Sequence, residues 1–398
     1  MSQEQSFEIP ALDKVFNLYD FELIASETLP KQVYAYYSSS ADDEVSYREN
    51  HNSFHNIFFK PKILVDVTDI DLTTEILGSK LQVPFYVSAT ALCGLGNPSG
   101  GELDIVKGCA AVNVPQMIST FSSFSLDEIA AARVDDNQVQ WFQLYVNSDR
   151  KISEDLIKKA EQLGIKALFV TVDAPQAGNR ERDARFKFCA NKDNGPQIME
   201  KTSVEKKTTN GTARTLSKLI DTSLTWKDIE NFKKFTTLPI ILKGVQRVDD
   251  AIKAAEIGCR GIVLTNHGGR QLDFSRPPIE VLAETMPELR ARGLDKNFDV
   301  LIDGGIRRGT DILKALCLGA KGCGIASPYL FANSCYGKEG VEKVTDLLIK
   351  ELLLSMRLLG VTKLADLNPD FLDLNGLYSR SVTVPRFTID RGSNPFKN

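Results

Sequence analysis

PIILKGVQRVDDAIKAAEIGCRGIVLTN, residues 239–266, holds one complete structural repeat of the chain and the start of the next. PIILKG is a short apolar run rich in isoleucine, as a strand covered on both faces requires, because a parallel strand under helices has no solvent face to alternate with. RVDDAIKAAEIG then spaces its apolar residues at helical intervals and closes on Gly258, the residue type that most readily takes the left-handed turn past a helix end. GIVLTN opens a second strand. Strand, helix and strand at this spacing make a βαβ unit, whose two strands run parallel.

The same alternation extends in both directions. Upstream lie PFYVSATA from Pro84, QMIST from Gln116, WFQLYV from Trp141 and ALFVTVD from Ala167; downstream lie DVLIDGG from Asp299 and GCGIASP from Gly322. KISEDLIKKAEQLG and GTDILKALCLG are further amphipathic helices that end on glycine. Eight strand–helix units predict an α/β fold of the closed (β/α)8 TIM-barrel type, since open doubly wound sheets usually carry about five to seven strands. The barrel is expected over residues 81–340. Residues 1–80 read as an N-terminal helical cap followed by a short β stretch, FKPKILVDV, and residues 341–398 as a long helix, GVEKVTDLLIKELLLSMRLLG, with a tail. Between the fourth strand and the next helix, residues 174–225 form a stretch rich in Lys, Thr, Asn and Gly. Loops beyond about 15 residues are uncommon in compact domains unless functional or disordered, so a lid on the catalytic rim is expected.

Composition narrows the partners. Lys and Arg number 48 against 52 Asp and Glu, a net charge of −4, with both signs scattered. Phosphate-backbone binding needs a basic face, so nucleic acid is not an expected partner. The seven cysteines (Cys93, Cys109, Cys189, Cys259, Cys317, Cys323, Cys335) are odd in number and form no CxxC pair, which reads as reduced thiols. The opening MSQEQSFEIPALDKVF has neither a secretory apolar core nor an Arg-rich character, and a cytoplasmic location is expected. No apolar run reaches the roughly 18 residues of a membrane span, so no membrane partner is expected. His51 and His55 have helical spacing but no carboxylate or cysteine cluster with them, and no metal site is read there. The Asn210-Gly211-Thr212 sequon carries no meaning in a cytosolic chain.

Barrel active sites are built at the C-terminal strand ends. Here those ends supply Gln143, Tyr145, Asp173, Lys243, Asn266, His267, Gly268, Gly269, Arg270, Asp303, Gly304, Gly305 and Arg307. A lone histidine is usually structural; His267, with Arg270 near and Asp173 available to orient its ring, reads better as a general base. Lys243 ends an apolar strand, where an ammonium is costly unless it meets an anion or electron-rich ring; the plain alternative is a lysine leaving the mouth into water. Arg180 and Arg270 could grip a small carboxylate with two guanidinium forks. DGGIRRGTD opens a helix after the seventh strand, so its glycine amides, the helix N-terminus and Arg307 read as an anion site, where barrels commonly bind phosphate.

Taken together, AYYSSSADDE, FKPKIL, PFYVSATA, QMIST, WFQLYV, TVDAP with Arg180, LKGV, NHGGRQLD and DGGIRRGTD resemble the FMN-dependent 2-hydroxy acid dehydrogenase and oxidase family. The likeness is greatest to the flavin domain of its haem-containing flavocytochrome L-lactate dehydrogenases. It implies that His267 takes up the substrate proton, that Asp173 holds the imidazole, and that Tyr36, Arg180 and Arg270 bind the carboxylate. Tyr145 is implied to contact the substrate hydroxyl or the developing negative charge, and Lys243 to sit beside the flavin ring. Ala89, Thr90, Ala91, Ser119, Gln143 and Thr171 are implied to line the flavin, with Asp303, Gly304, Gly305 and Arg307 on its ribityl and phosphate groups. Phe121 stands where the family meets the substrate side chain, and its bulk favours lactate or glycolate over mandelate. The implied activity is oxidation of an L-2-hydroxy acid, L-lactate to pyruvate first. The implied electron acceptor is a cytochrome, a quinone or oxygen. A peroxide-forming oxidase and a flavin-poor binding paralogue are the alternatives, and a homo-oligomer, a tetramer by family habit, is expected.

Two departures stand out. The family's Gly-Arg-Pro after the eighth strand is here Ala326, Ser327, Pro328, which removes a phosphate clamp and predicts weaker FMN binding unless Arg308 or another basic residue compensates. Ser39, Ser40, Ala41 replaces Ser-Gly-Ala, and would displace the segment carrying Tyr36 if the central position needs a positive φ.

Overall fold

Strands buried on both faces need helices outside and packed side chains inside, and the computed structural model, which describes residues 7–186, 195–198 and 212–379, has both. Its strands are β1 (Phe85–Val87), β2 (Gln116–Ser119), β3 (Gln140–Leu144), β4 (Leu168–Thr171), β5 (Ile240–Val245), β6 (Gly261–Leu264), β7 (Asp299–Asp303) and β8 (Gly322–Ile325). They pair in parallel in chain order and close where Cys323 of β8 lies opposite Phe85 of β1. All eight candidate strands are present. Most stop short of the run read from sequence, because the last residues of each run bend into the loops that carry the site.

Large side chains fill the interior, among them Tyr86, Met117, Trp141, Phe169, Ile241, Val263 and Leu301, so the barrel is a packed core rather than a pore. The outer layer follows from amphipathic helices such as Val248–Glu256, which buries Ala251, Ile252 and Ala254 and ends before Gly258 at φ 77°. The hairpin Thr74–Ile76 and Ser79–Leu81 sets Ile76 and Leu81 beneath the inner core, and Leu77 N donates to Asp299 at 2.6 Å.

The N-terminal cap is three helices, Leu18–Thr28, Lys31–Ser38 and Val45–His55. FKPKILVDV departs from the expected β stretch. Only Phe58–Phe59 pairs, antiparallel with Leu372–Asp373, while Ile63 and Leu64 are 82% and 99% exposed. β-propensity without a partner strand does not make a strand. The C-terminal helix starts earlier than read, running Ser327–Leu359 with a break at Gly337 (φ 58°, ψ −139°), so the predicted helix is its second half.

Within 174–225 the described residues include two short helices, Glu181–Ala184 and Thr212–Ser217. Cys189, Asn210, Gly211 and the end of the tail lie outside the described residues. The other six cysteines are free. Among the described residues no helix is long and apolar enough to cross a membrane.

Candidate active site

The loop after β6 aims the imidazole. His267 (φ 60°), Gly268 (φ 64°) and Gly269 (φ 74°) take three successive left-handed conformations, a turn that a β-branched side chain could not follow without strain. Asn266 Oδ1 accepts from Gly269 N at 3.0 Å, and the Asn266 and Asn50 amides exchange hydrogen bonds of 2.6 and 2.7 Å, locking the loop to helix Val45–His55. A Cβ on Gly269 would lie 2.5 Å from Tyr47 N. His267 Nδ1 stands 3.0 Å from Asp173 Oδ1, and its Nε2 stands 3.1 Å from the Tyr145 hydroxyl.

Asp173 is placed by β5. A register shift between Lys243 and Val245 puts Gly244 at φ 116°, and a Cβ there would come within 2.5 Å of the Asp173 Cβ. The Asp173 carboxylate is almost wholly buried behind the ring, and accepting the Nδ1 proton leaves the lone pair on Nε2. Burial pushes the His267 pKa below its ordinary value; Asp173 opposes this, while Lys243 and Arg180 reinforce it. The imidazole is therefore neutral, and basic at Nε2, at neutral pH.

Two guanidinium groups face the same space. Arg270 donates to Tyr36 O at 3.2 Å and also to Tyr37 O, and Arg180 Nε donates to Arg270 O at 3.3 Å. Burial and the neighbouring Arg180 lower the Arg270 pKa to about 10, so Arg270 stays a cation at neutral pH, and the two guanidinium groups favour an anion between them. Tyr36 and Tyr145 are buried, which raises both phenol pKa values and keeps both as hydrogen-bond donors. Phe121 stacks on Tyr145 with ring centroids 5.0 Å apart. Tyr36, Tyr145, Phe121, Arg180, His267 and Arg270 all line one cavity of about 670 Å³, with Asp173 just behind it.

The cavity continues over the barrel floor. Lys243 Nζ lies 3.5 Å from Asp303 Oδ2, which also accepts from Ser88 Oγ at 3.1 Å, so the buried ammonium has one distant counter-ion and room for a second acceptor. Gln143 Nε2 donates to Thr171 Oγ1 at 2.8 Å. Ala89, Thr90 and Ala91 after β1, and Ser119 ending β2, line the same space. At its far end Gly304 and Gly305 have φ of 104° and 81°, and a Cβ on Gly305 would overlap the Asn50 carbonyl. Arg307 pairs with Glu22 at 2.7 Å and donates to the Tyr47 hydroxyl at 3.1 Å. Ser327 lines this end too. An ammonium, an amide and hydroxyls around an apolar floor, with an arginine and a glycine cradle at one end, fit a flavin ring with a phosphorylated tail.

Three expectations change, two of them at this end. The amides leading into helix Gly309–Cys317 are already bonded: Arg307 N and Arg308 N donate to Asp311 Oδ2, each at 3.0 Å, and Gly309 N to Glu351 Oε2 at 2.7 Å. That helix start therefore offers an anion little, and Arg307, the Gly304–Gly305 turn and Ser327 are left for it. Arg308 pairs with Glu351 at 2.7 Å and does not line the cavity, so it does not replace the missing arginine. Ser40 is not among the residues with positive φ; Asp42 (45°) and Glu44 (58°) make that turn, and the tyrosine segment needs no displacement to accept a serine. Sequence reading passed over Glu22, Tyr47, Asn50, Arg182 and Gln271. Only Gln271 carried a signal, its place inside NHGGRQLD.

A model of the family described as FMN-dependent dehydrogenase matches residues 25–374. The chain is 62% identical over 379 residues to "L-lactate dehydrogenase (cytochrome)" of Saccharomyces cerevisiae, covering 95% of this chain and 64% of that protein. It is 53% identical over 377 residues to the protein of the same name from Wickerhamomyces anomalus, covering 95% and 65%. The chain thus spans slightly less than two thirds of the length of these relatives. The solved flavin-binding domain of baker's yeast flavocytochrome b2 superposes with a TM-score of 0.86 at 59% identity, covering 96% of this chain and 92% of that one. Extended over nearly the whole barrel, and agreeing with a cavity shaped for a phosphorylated flavin, these likenesses place the chain in the FMN-dependent dehydrogenase family.

Proposed function

We propose that this chain oxidises a small L-2-hydroxy acid, L-lactate first, to the 2-oxo acid, and that the electrons leave through FMN to a cytochrome. The observation that carries the reading is the convergence of a neutral imidazole backed by a carboxylate, two guanidinium groups and a buried ammonium on one cavity. The likeness to the L-lactate dehydrogenases (cytochrome) of Saccharomyces cerevisiae and Wickerhamomyces anomalus supports the choice of lactate and of a cytochrome.

In this reading Arg180 and Arg270 bind the substrate carboxylate, with the Tyr36 hydroxyl as a further donor. That anchor turns the substrate hydroxyl toward Tyr145 and His267. His267 Nε2 takes up the proton, and Asp173 stabilises the imidazolium that results. Phe121 and Tyr145 form the wall against the substrate's side chain, leaving space for a methyl group more easily than for a phenyl ring. Bound FMN supplies the two-electron acceptor, held by Lys243, Gln143, Ser119 and Thr171 at the ring and by Arg307 and Ser327 at the phosphate.

The test is anaerobic addition of L-lactate to the FMN-loaded protein. Flavin absorbance should bleach with pyruvate formed in equal amount, and mixing with a cytochrome should restore the colour faster than mixing with oxygen. No bleaching at saturating FMN would refute the reading; fast return with oxygen and peroxide would make the protein an oxidase. By family likeness the oligomer proposed is a homotetramer, to be read by light scattering.

A further inference from the structure

Asp173 and Arg180 come from the segment after β4, whereas His267 and Arg270 come from the loop after β6, so the two loops must be held in register for the site to exist. One uncharged side chain joins them. Gln271 Nε2 donates to Asp173 O at 3.2 Å and to Gln176 O at 2.8 Å, while its Oε1 accepts from Gly178 N at 3.3 Å. Both amide protons and the acceptor are thus engaged by three backbone groups of one segment. The backbones touch as well: a Cβ on Gly178 would overlap the carbonyl oxygens of Arg270 and Gln271. Two residues on, Arg180 Nε meets Arg270 O at 3.3 Å.

We propose that Gln271 is a positioning residue, whose amide splints residues 173–178 onto the 267–271 loop and so keeps Asp173 on the His267 ring and Arg180 beside Arg270. The inference rests on the reading of His267 as the base. Groups from three other elements face that imidazole: Asp173 and Arg180 from the segment after β4, Tyr145 from the end of β3, and Lys243 from β5. Asp173 is the group that supports the protonated ring, so loosening it lowers the imidazole pKa further. A base that stays neutral to lower pH carries the acidic limb of kcat/KM downward with it.

The experiment uses the FMN-loaded full chain carrying Gln271→Met, a change close in volume that removes all three hydrogen bonds. Flavin content should stay near wild type, kcat/KM for L-lactate should fall on the order of tenfold, as small misplacements of catalytic groups do, and the acidic limb should move to lower pH. In an Asp173→Asn background the same change should cost several-fold less than in wild type and leave the acidic limb unmoved, because only the Arg180–Arg270 register is then left to protect. Wild-type kcat/KM with an unmoved limb would overturn the proposal, as would a loss that is undiminished beside Asp173→Asn. If Gln271→Met fails to load flavin, Gly178→Ala, which pushes the same loops apart from the other side, must give the pH shift and the non-additivity, and their absence is equally fatal. Should wild type itself show no lactate-dependent bleaching, the functional reading fails by itself. The splint is then decided by hydrogen exchange: faster exchange at the Gly178 amide in Gln271→Met supports it, and unchanged exchange rejects it.

Discussion

His267 is buried where an imidazolium is costly, and the carboxylate behind it only partly offsets that cost. The active form is the neutral ring, and its pKa lies below the ordinary 6.5, so kcat/KM should hold its plateau at pH values where a solvent-exposed histidine would already be protonated. A pH–rate profile whose acidic limb falls above 6.5 would contradict this. Asp173→Asn should lower kcat by about a hundredfold or more, the scale of a well-placed acid–base group, and move the limb lower still. Ser327 poses a different question. With Arg308 turned away onto Glu351, Ser327→Arg should tighten FMN by roughly 1.5–3 kcal/mol, about ten- to more than a hundredfold, and leave riboflavin, which lacks the phosphate, unchanged. Fluorescence titration with the two flavins checks it, and an unaltered FMN affinity would show that Arg307 and the Gly304–Gly305 turn suffice.

Elements decide which of these residues meet. The short helix Glu181–Ala184 is tied to the cap by Arg182, which donates to Ser38 Oγ at 2.9 Å, Ser38 O at 2.7 Å and Glu44 Oε1 at 2.8 Å. Ser38 ends the helix that carries Tyr36, so the clasp holds the carboxylate-binding groups without touching the base. Arg182→Met should therefore raise KM for the hydroxy acid several-fold with kcat nearly unchanged. It should also cost about 1–3 kcal/mol of stability, because Glu44 is left buried with a lost partner. Steady-state kinetics and denaturant unfolding read the two effects, and a fall in kcat at constant KM would break the assignment. At this scale the sequence was legible wherever the signal was local. The eight strands show as apolar runs and their helices as amphipathic stretches closed by glycine. KILVDV has the composition of a strand, but among the described residues no strand lies beside it, and composition does not report neighbours.

At the scale of the whole molecule, barrel closure gathers Tyr145, Asp173, Lys243, His267 and Arg270 onto one mouth and the cap lays Tyr36 over it, with the flavin end of the same cavity opening toward the cap. A ligand that spans strands, cap and C-terminal helix binds only the folded chain. FMN at about a hundred times its Kd should add roughly 2.7 kcal/mol of stability and raise Tm accordingly. Thermal unfolding with and without FMN tests this, and identical curves would mean that the cavity does not take the cofactor. The repeat, the number of strands and the residues at their ends are legible in the chain's local order, because each depends on periodicity within a few neighbouring positions. The occupation of the amides leading into helix Gly309–Cys317 by Asp311 and Glu351, the pairing of Arg307 with Glu22 and the bridge that Gln271 makes between two loops come from the folded arrangement alone. The partners of a polar group are set by chain that is distant in sequence and brought near by closure of the barrel, and no local pattern encodes that distance.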